Sequence, residues 1–141
     1  MKAQDMNNTR LATILYAVSD ELEGQNGRWQ FSIDSVIFMC MTDELHNRMR
    51  FIAPIAKIQD VTDEQIRKCM EANFHTTLDS KYAISDDILW AVYIHPLKEL
   101  TEEQVVSGLS QVYSSLKTFG TTYSSGSLSF PTSDENNARR N

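Results

Sequence analysis

The sequence lacks the long apolar runs and the basic clusters that mark membrane proteins and nucleic-acid-binding proteins. No stretch of about 18 apolar residues occurs, so no segment is expected to span a bilayer. The formal net charge is −6, and lysine and arginine are scattered along the chain. No basic stripe is therefore available to neutralise a phosphate backbone or an anionic lipid surface. Nucleic acid and membrane are not expected partners.

Cysteine is scarce as well. The two cysteines, Cys40 and Cys69, both lie inside apolar patterns, which favours buried thiols over a disulfide or a reactive nucleophile. The sequence turns polar directly after Met1 and lacks the apolar core of a secretory signal. We therefore expect a cytoplasmic protein, in a reducing compartment that keeps both thiols free.

Signatures of catalysis and of cofactor binding are also missing. The five glycines do not form a phosphate-binding loop, and no Gly-x-Ser-x-Gly motif occurs. None of the histidines, His46, His75 and His95, has a second histidine or a cysteine within four residues, the spacing that makes a metal site recognisable. The sequence predicts a protein that is not an enzyme, with no catalytic residue, metal or cofactor. A small enzyme with a dispersed active site is the alternative.

The residues that are present suit one globular α+β domain. The hydrophobic fraction of 41% and the charged fraction of 23% are close to the averages for soluble proteins. The apolar residues recur with a helical period, then with period two, and the two patterns alternate along the chain. They predict a helix over 7–23, strands over 28–34, 36–41 and 48–58, a helix over 63–74, strands over 81–84 and 88–94, and a last helix from 102 that Gly120 ends.

Two of the helix starts have the same local signal. Thr62 with Gln65, and Thr101 with Gln104, have the spacing of a capping box, in which each side chain bonds the backbone of the other residue. The run over 36–41 is apolar throughout, which predicts a strand that is covered on both faces.

The composition changes after Gly120. Residues 121–141 are dominated by serine, threonine, asparagine and glycine, and such a segment buries too little apolar surface to offset its ordering entropy. We therefore predict a folded domain over 1–120 and a flexible tail over 121–141. Docking of the tail through Leu128, Phe130 and Pro131 is the alternative.

The second helix and the strand over 88–94 carry the candidate contact residues. The helical pattern predicts that Ile66, Met70 and Phe74 are buried, and core burial is the ordinary fate of any single apolar side chain. If the fold instead exposes them together with Trp90 and Val92, the resulting apolar patch marks a surface for a protein partner or for a second copy of the chain.

The order of elements and several short segments resemble a known family. The segments are residues 70–74 (Met-Glu-Ala-Asn-Phe), 82–84 (Tyr-Ala-Ile), 90–94 with Pro96 and Leu97, and 100–104 (Leu-Thr-Glu-Glu-Gln). Over residues 8–120 the chain resembles the type III secretion chaperone-like superfamily, which includes the CesT/Tir chaperones and the YbjN proteins.

The predicted elements follow the order α-β-β-β-α-β-β-α along the chain. The resemblance implies that the strands form one antiparallel sheet, packed by helices, and that the protein is often assembled as a homodimer. It also implies a chaperone-like protein that holds an apolar segment of a client protein. A YbjN-like regulatory or structural subunit without a client is the alternative within the same family. The expected partners are therefore a protein client or a second copy.

Overall fold

The computed structural model describes residues 4–126, which form three α-helices and one sheet of six strands. In chain order the elements are α1 (Asn8–Val18), β1 (Glu21–Gln25), β2 (Arg28–Ile33), β3 (Val36–Asp43), β4 (Arg48–Lys57), a 3-10 turn (Ile58–Asp60), α2 (Asp63–His75), β5 (Lys81–Ser85), β6 (Ile88–His95) and α3 (Glu102–Lys117). The sheet is antiparallel throughout, with the strand order β1-β2-β3-β4-β6-β5. The predicted α+β architecture is confirmed.

The first helix is shorter than predicted, and the strand β1 takes the place of its second half. The helix ends at Val18, and Ser19 already has an extended backbone. Asn26 and Gly27 have φ values of 56° and 82°. They form the turn between β1 and β2, since the residues on either side of them, Gln25 and Arg28, pair with each other. An Asn-Gly pair with two positive φ values is the preferred turn of a two-residue hairpin. The prediction of a helix to residue 23 was wrong because this turn signal was interpreted as a helix end.

Both predicted capping boxes are present. The side chain of Thr62 accepts from the N–H of Gln65, and the side chain of Gln65 accepts from the N–H of Thr62. Thr101 and Gln104 repeat this exchange at the start of α3. Each exchange satisfies two of the N–H groups that a helix start leaves without a helical partner, so these two boundaries are set by local sequence.

The helices pack on one face of the sheet, above two apolar cores. The larger core lies between the sheet, α1 and α3, and α3 approaches β6 closely where Gly108 faces the ring of Tyr93. A Cβ atom at Gly108 would lie 2.7 Å from that ring, so only glycine allows this spacing. The smaller core lies beneath α2 and consists of Cys69, Ala72, Tyr82, Leu89 and Tyr123.

The chain stays packed against the domain beyond the end of α3. Tyr123 is 6% exposed and stacks edge-on against the rings of Tyr82 and Phe119. The hydroxyl of Thr118 donates to the carbonyl of Ser124 at 2.9 Å, and the N–H of Leu78 donates to the hydroxyl of Ser125 at 2.6 Å. Of the predicted tail, residues 121–126 are therefore part of the packed structure, and residues 127–141 lie outside the described residues.

None of the helices found within residues 4–126 has the length and the apolar content needed to cross a membrane.

Tyr123→Ala should lower the free energy of unfolding by about 3 kcal/mol, because it removes a buried aromatic ring from the smaller core. Urea unfolding followed by circular dichroism measures the change. Tyr16→Ala is the matched control, since Tyr16 is 77% exposed and its loss should change stability by less than about 0.5 kcal/mol. Equal stabilities for the two variants would contradict the packing of residues 118–126.

Candidate protein-binding surface

The face of the sheet opposite the helices is not covered by any element within residues 4–126. Successive residues of a strand point to opposite faces, and along β6 Leu89, Ala91 and Tyr93 are buried beneath the helices. Trp90 and Val92 therefore point to the other side. We call this side the open face. Its apolar members include Ile37, Met39, Met41, Ile52, Pro54, Trp90, Val92 and Ile94.

The apolar members of the open face form neighbouring rows across the three central strands. Met39 lies directly opposite Ile52, and Ile52 lies directly opposite Val92. Pro54 and Trp90 form the next pair. Directly opposed side chains in a sheet contact each other, and Ile52 is buried although no helix covers it. The centre of the open face is thus a continuous apolar patch.

Two features shape the patch at β4 and β6. The register between these strands shifts between Pro54 and Ala56, which accommodates a proline that cannot donate to the strand pairing. The indole N–H of Trp90 donates to the carbonyl of Ser85 at 3.0 Å. This hydrogen bond holds the ring of Trp90 in one orientation on the open face.

Charged residues border the apolar centre. Arg28 and Arg50 lie in one row with Met41 between them, and Ile94 continues that row on β6. A guanidinium nitrogen of Arg28 lies 3.6 Å from the sulfur of Met41. An apolar centre with a polar rim is typical of protein interfaces.

The predicted contact residues on α2 form a second, separate surface. Met70 is 51% exposed and Phe74 is 83% exposed, whereas Ile66 packs partly against the smaller core. The prediction that the helix buries Met70 and Phe74 was therefore wrong. We call Ile66, Met70 and Phe74 the α2 stripe.

The position of α2 beside the sheet explains this exposure. The side chain of Asn73 donates to the carbonyl of Tyr82 at 3.0 Å and accepts from its N–H at 2.8 Å. Within residues 4–126 no strand pairs with this edge of β5, and Asn73 occupies it instead. The fully buried residues of α2 are Cys69 and Ala72. Strand β5 lies between the α2 stripe and Trp90 and Val92 on β6, so the five predicted residues do not form one cluster.

Sequence reasoning missed most of the open face. The run over 36–41 was interpreted as a strand that is covered on both faces, but Ile37 is exposed and Met39 and Met41 are partly exposed. An unbroken apolar run is also what a strand shows when its outer face is apolar and uncovered. The signal was present in the sequence, but periodicity alone does not separate these two cases.

Burial and hydrogen bonding shift the pKa of several ionisable groups within residues 4–126. Within residues 4–126 no group of three or more histidine, cysteine or acidic side chains is placed to hold a metal ion. Burial raises the pKa of the Cys69 thiol to about 11 and that of the Tyr82 hydroxyl to about 12, which keeps both groups neutral. At the β3–β4 hairpin, a hydrogen bond from the ring of His46 lowers the pKa of the exposed Asp43.

Comparison with known proteins identifies the fold. No protein-family model and no curated protein matches the sequence. A chain of the HopA1–SchA chaperone–effector complex matches with a TM-score of 0.62 and 11% identity, over 79% of this chain and 90% of that chain. A chain from the complex of the Yersinia pestis type III secretion chaperone SycH with a fragment of YscM2 matches with a TM-score of 0.61 and 14% identity, over 80% and 98%.

A chain of the ExsC–ExsE complex matches with a TM-score of 0.60 and 12% identity, over 79% of this chain and 95% of that chain. The described residues therefore have the fold of the type III secretion chaperones. The resemblance drawn from the sequence is confirmed at the level of the fold.

The exposure of the α2 stripe can be tested through stability. Phe74→Ala should change the free energy of unfolding by less than about 0.5 kcal/mol, because the ring is largely in water. The same change at Phe38, which is fully buried in the larger core, should cost about 3–5 kcal/mol. Urea unfolding of both variants measures the difference, and a comparable loss at Phe74 would show that its ring is buried.

Proposed function

We propose that this chain is a chaperone-like protein that holds an apolar segment of a client protein on its open face. The observation that carries the proposal is the continuous patch of Met39, Ile52 and Val92, with Trp90 beside it, on a sheet face without a described cover. Contiguous exposed apolar surface on a folded domain marks an interaction site. We expect no catalytic step.

The comparisons support this proposal through the shared fold. The HopA1–SchA structure is described as a chaperone–effector complex, and SycH is described in complex with a fragment of another protein. Those partners belong to those proteins. For this chain, they support the proposal that the apolar open face binds a protein.

The chemistry of the open face suggests the kind of segment that binds. An extended segment presents alternate side chains to one side, so its apolar residues can rest on Trp90, Met39 and Ile94. Full burial of one large apolar side chain contributes about 1.5–3 kcal/mol, and part of the sum is lost to the entropy of association. Arg28 and Arg50 favour acidic residues beside the apolar ones in the client.

A photo-crosslinking experiment tests the location of the client. The full chain carries p-benzoylphenylalanine in place of Ile94, which is exposed on the open face, and is expressed in cells of the source organism. We expect ultraviolet light to join it to a defined protein. The matched control carries the same group in place of Tyr16, an exposed residue of α1, and should not yield that product.

The protein joined at position 94 is then purified and titrated against the full chain. Val92→Lys should weaken binding at least about tenfold, because it places a charge in the apolar patch without a partner. Equal crosslinking from positions 94 and 16, or an affinity that Val92→Lys does not change, would refute binding on the open face.

We further propose that the α2 stripe joins two copies into a homodimer. Met70 and Phe74 are exposed one helical turn apart, and Ile66 continues the line by one more turn, so the stripe suits a second helix packed against it. A symmetric dimer uses the same patch on both subunits. The open face then remains available for the client.

The dimer is tested by light scattering on the full chain. For the wild type we expect twice the chain mass of 16.1 kDa. For the double variant Met70→Lys/Phe74→Lys we expect the mass of one chain, because four lysines would meet at the dimer interface. Tyr16→Lys is the control and should leave the dimer intact. A wild-type monomer would refute the dimer. A dimer whose open face crosslinks no protein would favour the YbjN-like subunit without a client.

A cytoplasmic location is part of the proposal. Cys40 and Cys69 are both buried free thiols, and such thiols are the usual state of cysteine in a reducing compartment.

A further inference from the structure

A groove runs along the open face above β2, between the side chains of β1 and those of β3. It consists of two hollows of about 400 Å³ and 420 Å³. Glu23 and Gln30 line both hollows, so the two join end to end. The walls are two strands apart, which separates them by about 9.6 Å. We call this feature the β2 groove, and it has room for one polypeptide chain.

The two walls of the β2 groove differ in chemistry. On β1, the exposed side chains of Glu21 and Glu23 point to the open face, two residues apart. On β3, Ile37, Met39 and Met41 form an apolar wall. Across β2, Glu21 is opposite Ile37 and Glu23 is opposite Met39. A chain that lies in the groove therefore has an acidic side and an apolar side.

The floor of the groove favours an extended chain over a helix. Gln30 is exposed between Glu23 and Met39, and its side-chain amide has the donor and the acceptor of a peptide group. An extended segment offers free backbone N–H and C=O groups to such a side chain, whereas a helix bonds these groups internally. The hydroxyl of Ser32, in the next row, adds a second polar group to the floor.

The walls also have the repeat of an extended chain. Residues two apart on a strand lie about 6.4–6.8 Å apart on the same side, which is the spacing of Glu21 from Glu23 and of Ile37 from Met39. An extended segment that lies along β2, with its side chains directed at the two walls, has this same repeat. Its alternate residues meet the apolar wall, and the residues between them meet the two carboxylates. Basic residues suit these positions because they pair with the carboxylates, whereas acidic residues are repelled.

The charge changes sign at one end of the groove. Arg28 lines that end, and Arg50 lies in the same row with Met41 between them. Basic residues of a bound segment are therefore favoured beside Glu21 and Glu23, and an acidic residue is favoured next to Arg28. The groove thus selects a short charge pattern and not only a net charge.

We infer that the β2 groove binds an extended segment of the client in which apolar residues alternate with lysine or arginine, followed toward Arg28 by an acidic residue. This inference rests on the proposed function and adds the sequence pattern of the partner. The groove adjoins the apolar patch at Met39, so one client can occupy both. Contacts on the apolar wall supply affinity, and the charges discriminate between clients.

Synthetic peptides test the pattern on the full chain. The probe is a dye-labelled peptide with blocked termini and the sequence Leu-Lys-Leu-Lys-Leu-Glu, and its reverse sequence allows for the opposite chain direction. One control, Leu-Glu-Leu-Glu-Leu-Lys, exchanges the charges, and a second, Leu-Leu-Leu-Lys-Lys-Glu, keeps the composition without the alternation. Fluorescence anisotropy in about 0.1 M salt, which screens distant charges, measures each affinity. The better-binding direction of the probe should bind at least about threefold tighter than either control, because each control loses ion pairs with the acidic wall.

Two double variants locate the binding. Glu21→Gln/Glu23→Gln should weaken binding of the probe at least about threefold, since it removes both ion pairs, and should reduce the preference over the charge-exchanged peptide. Glu71→Gln/Glu103→Gln makes the same change of net charge at exposed residues of α2 and α3. This control should leave the affinity within about twofold of the wild type, because the altered charges are far from the groove and screened.

Equal binding of the probe and either control peptide, or no binding of the probe in either direction, would overturn the inference. An equal loss in the two double variants would also overturn it, because the effect would then come from net charge. A probe affinity that falls as the protein is concentrated would show a second copy in the groove, with the same consequence. Crosslinking from position 94 uses none of these peptides, so failure here and failure of the client-binding proposal are distinguishable.

Discussion

The pairing of the Asn73 side chain with the backbone of Tyr82 determines the surfaces of this domain. A side-chain amide offers one donor and one acceptor in the geometry of a peptide group, so Asn73 substitutes for one residue of a neighbouring strand at the edge of β5. This contact holds α2 beside the sheet, above the smaller core, and away from the open face. Among the described residues, no element covers the open face, and Met70 and Phe74 of the α2 stripe are exposed. Without the contact, the N–H of Tyr82 would lose its partner, and α2 would keep its packing through Cys69 and Ala72 and the hydrogen bond from Lys81 to the carbonyl of Asn73.

Structural features that short local patterns determine are predicted well from the sequence. The starts of α2 and α3 follow from the threonine–glutamine pairs, and the alternation in 28–34 and 88–94 follows from period two. The errors occur where one pattern has two physical meanings. Asn26 with Gly27 fits both a helix end and a hairpin turn, and the apolar run over 36–41 fits both a covered strand and an open apolar face. Tyr123 was assigned to a tail because its burial depends on Tyr82, a partner far away in sequence that composition does not reveal.

The likeness to secretion chaperones at 11–14% identity shows how little of such a fold depends on particular side chains. Buried positions accept many apolar residues if volume and pattern are preserved, and hairpin turns accept several polar pairs. In this chain the constraints that do specify residues are few. Gly108 must be glycine beneath Tyr93, and Gly24, with a φ of 116°, lies against the backbone carbonyl of Arg28.

The strand β1 has a consequence for solubility. As the end of the sheet order, it presents a row of backbone groups that could recruit strands from other molecules, and an apolar sheet face beside such an edge favours fibrous aggregation. Glu21 and Glu23 lie on the open-face side of this short strand, and Gly24 gives it an irregular backbone. Charge repulsion and poor strand geometry therefore protect the edge at which stacking of identical chains would begin. Within residues 4–126, the end of the sheet that lies beside the apolar open face therefore has features that oppose polymerisation.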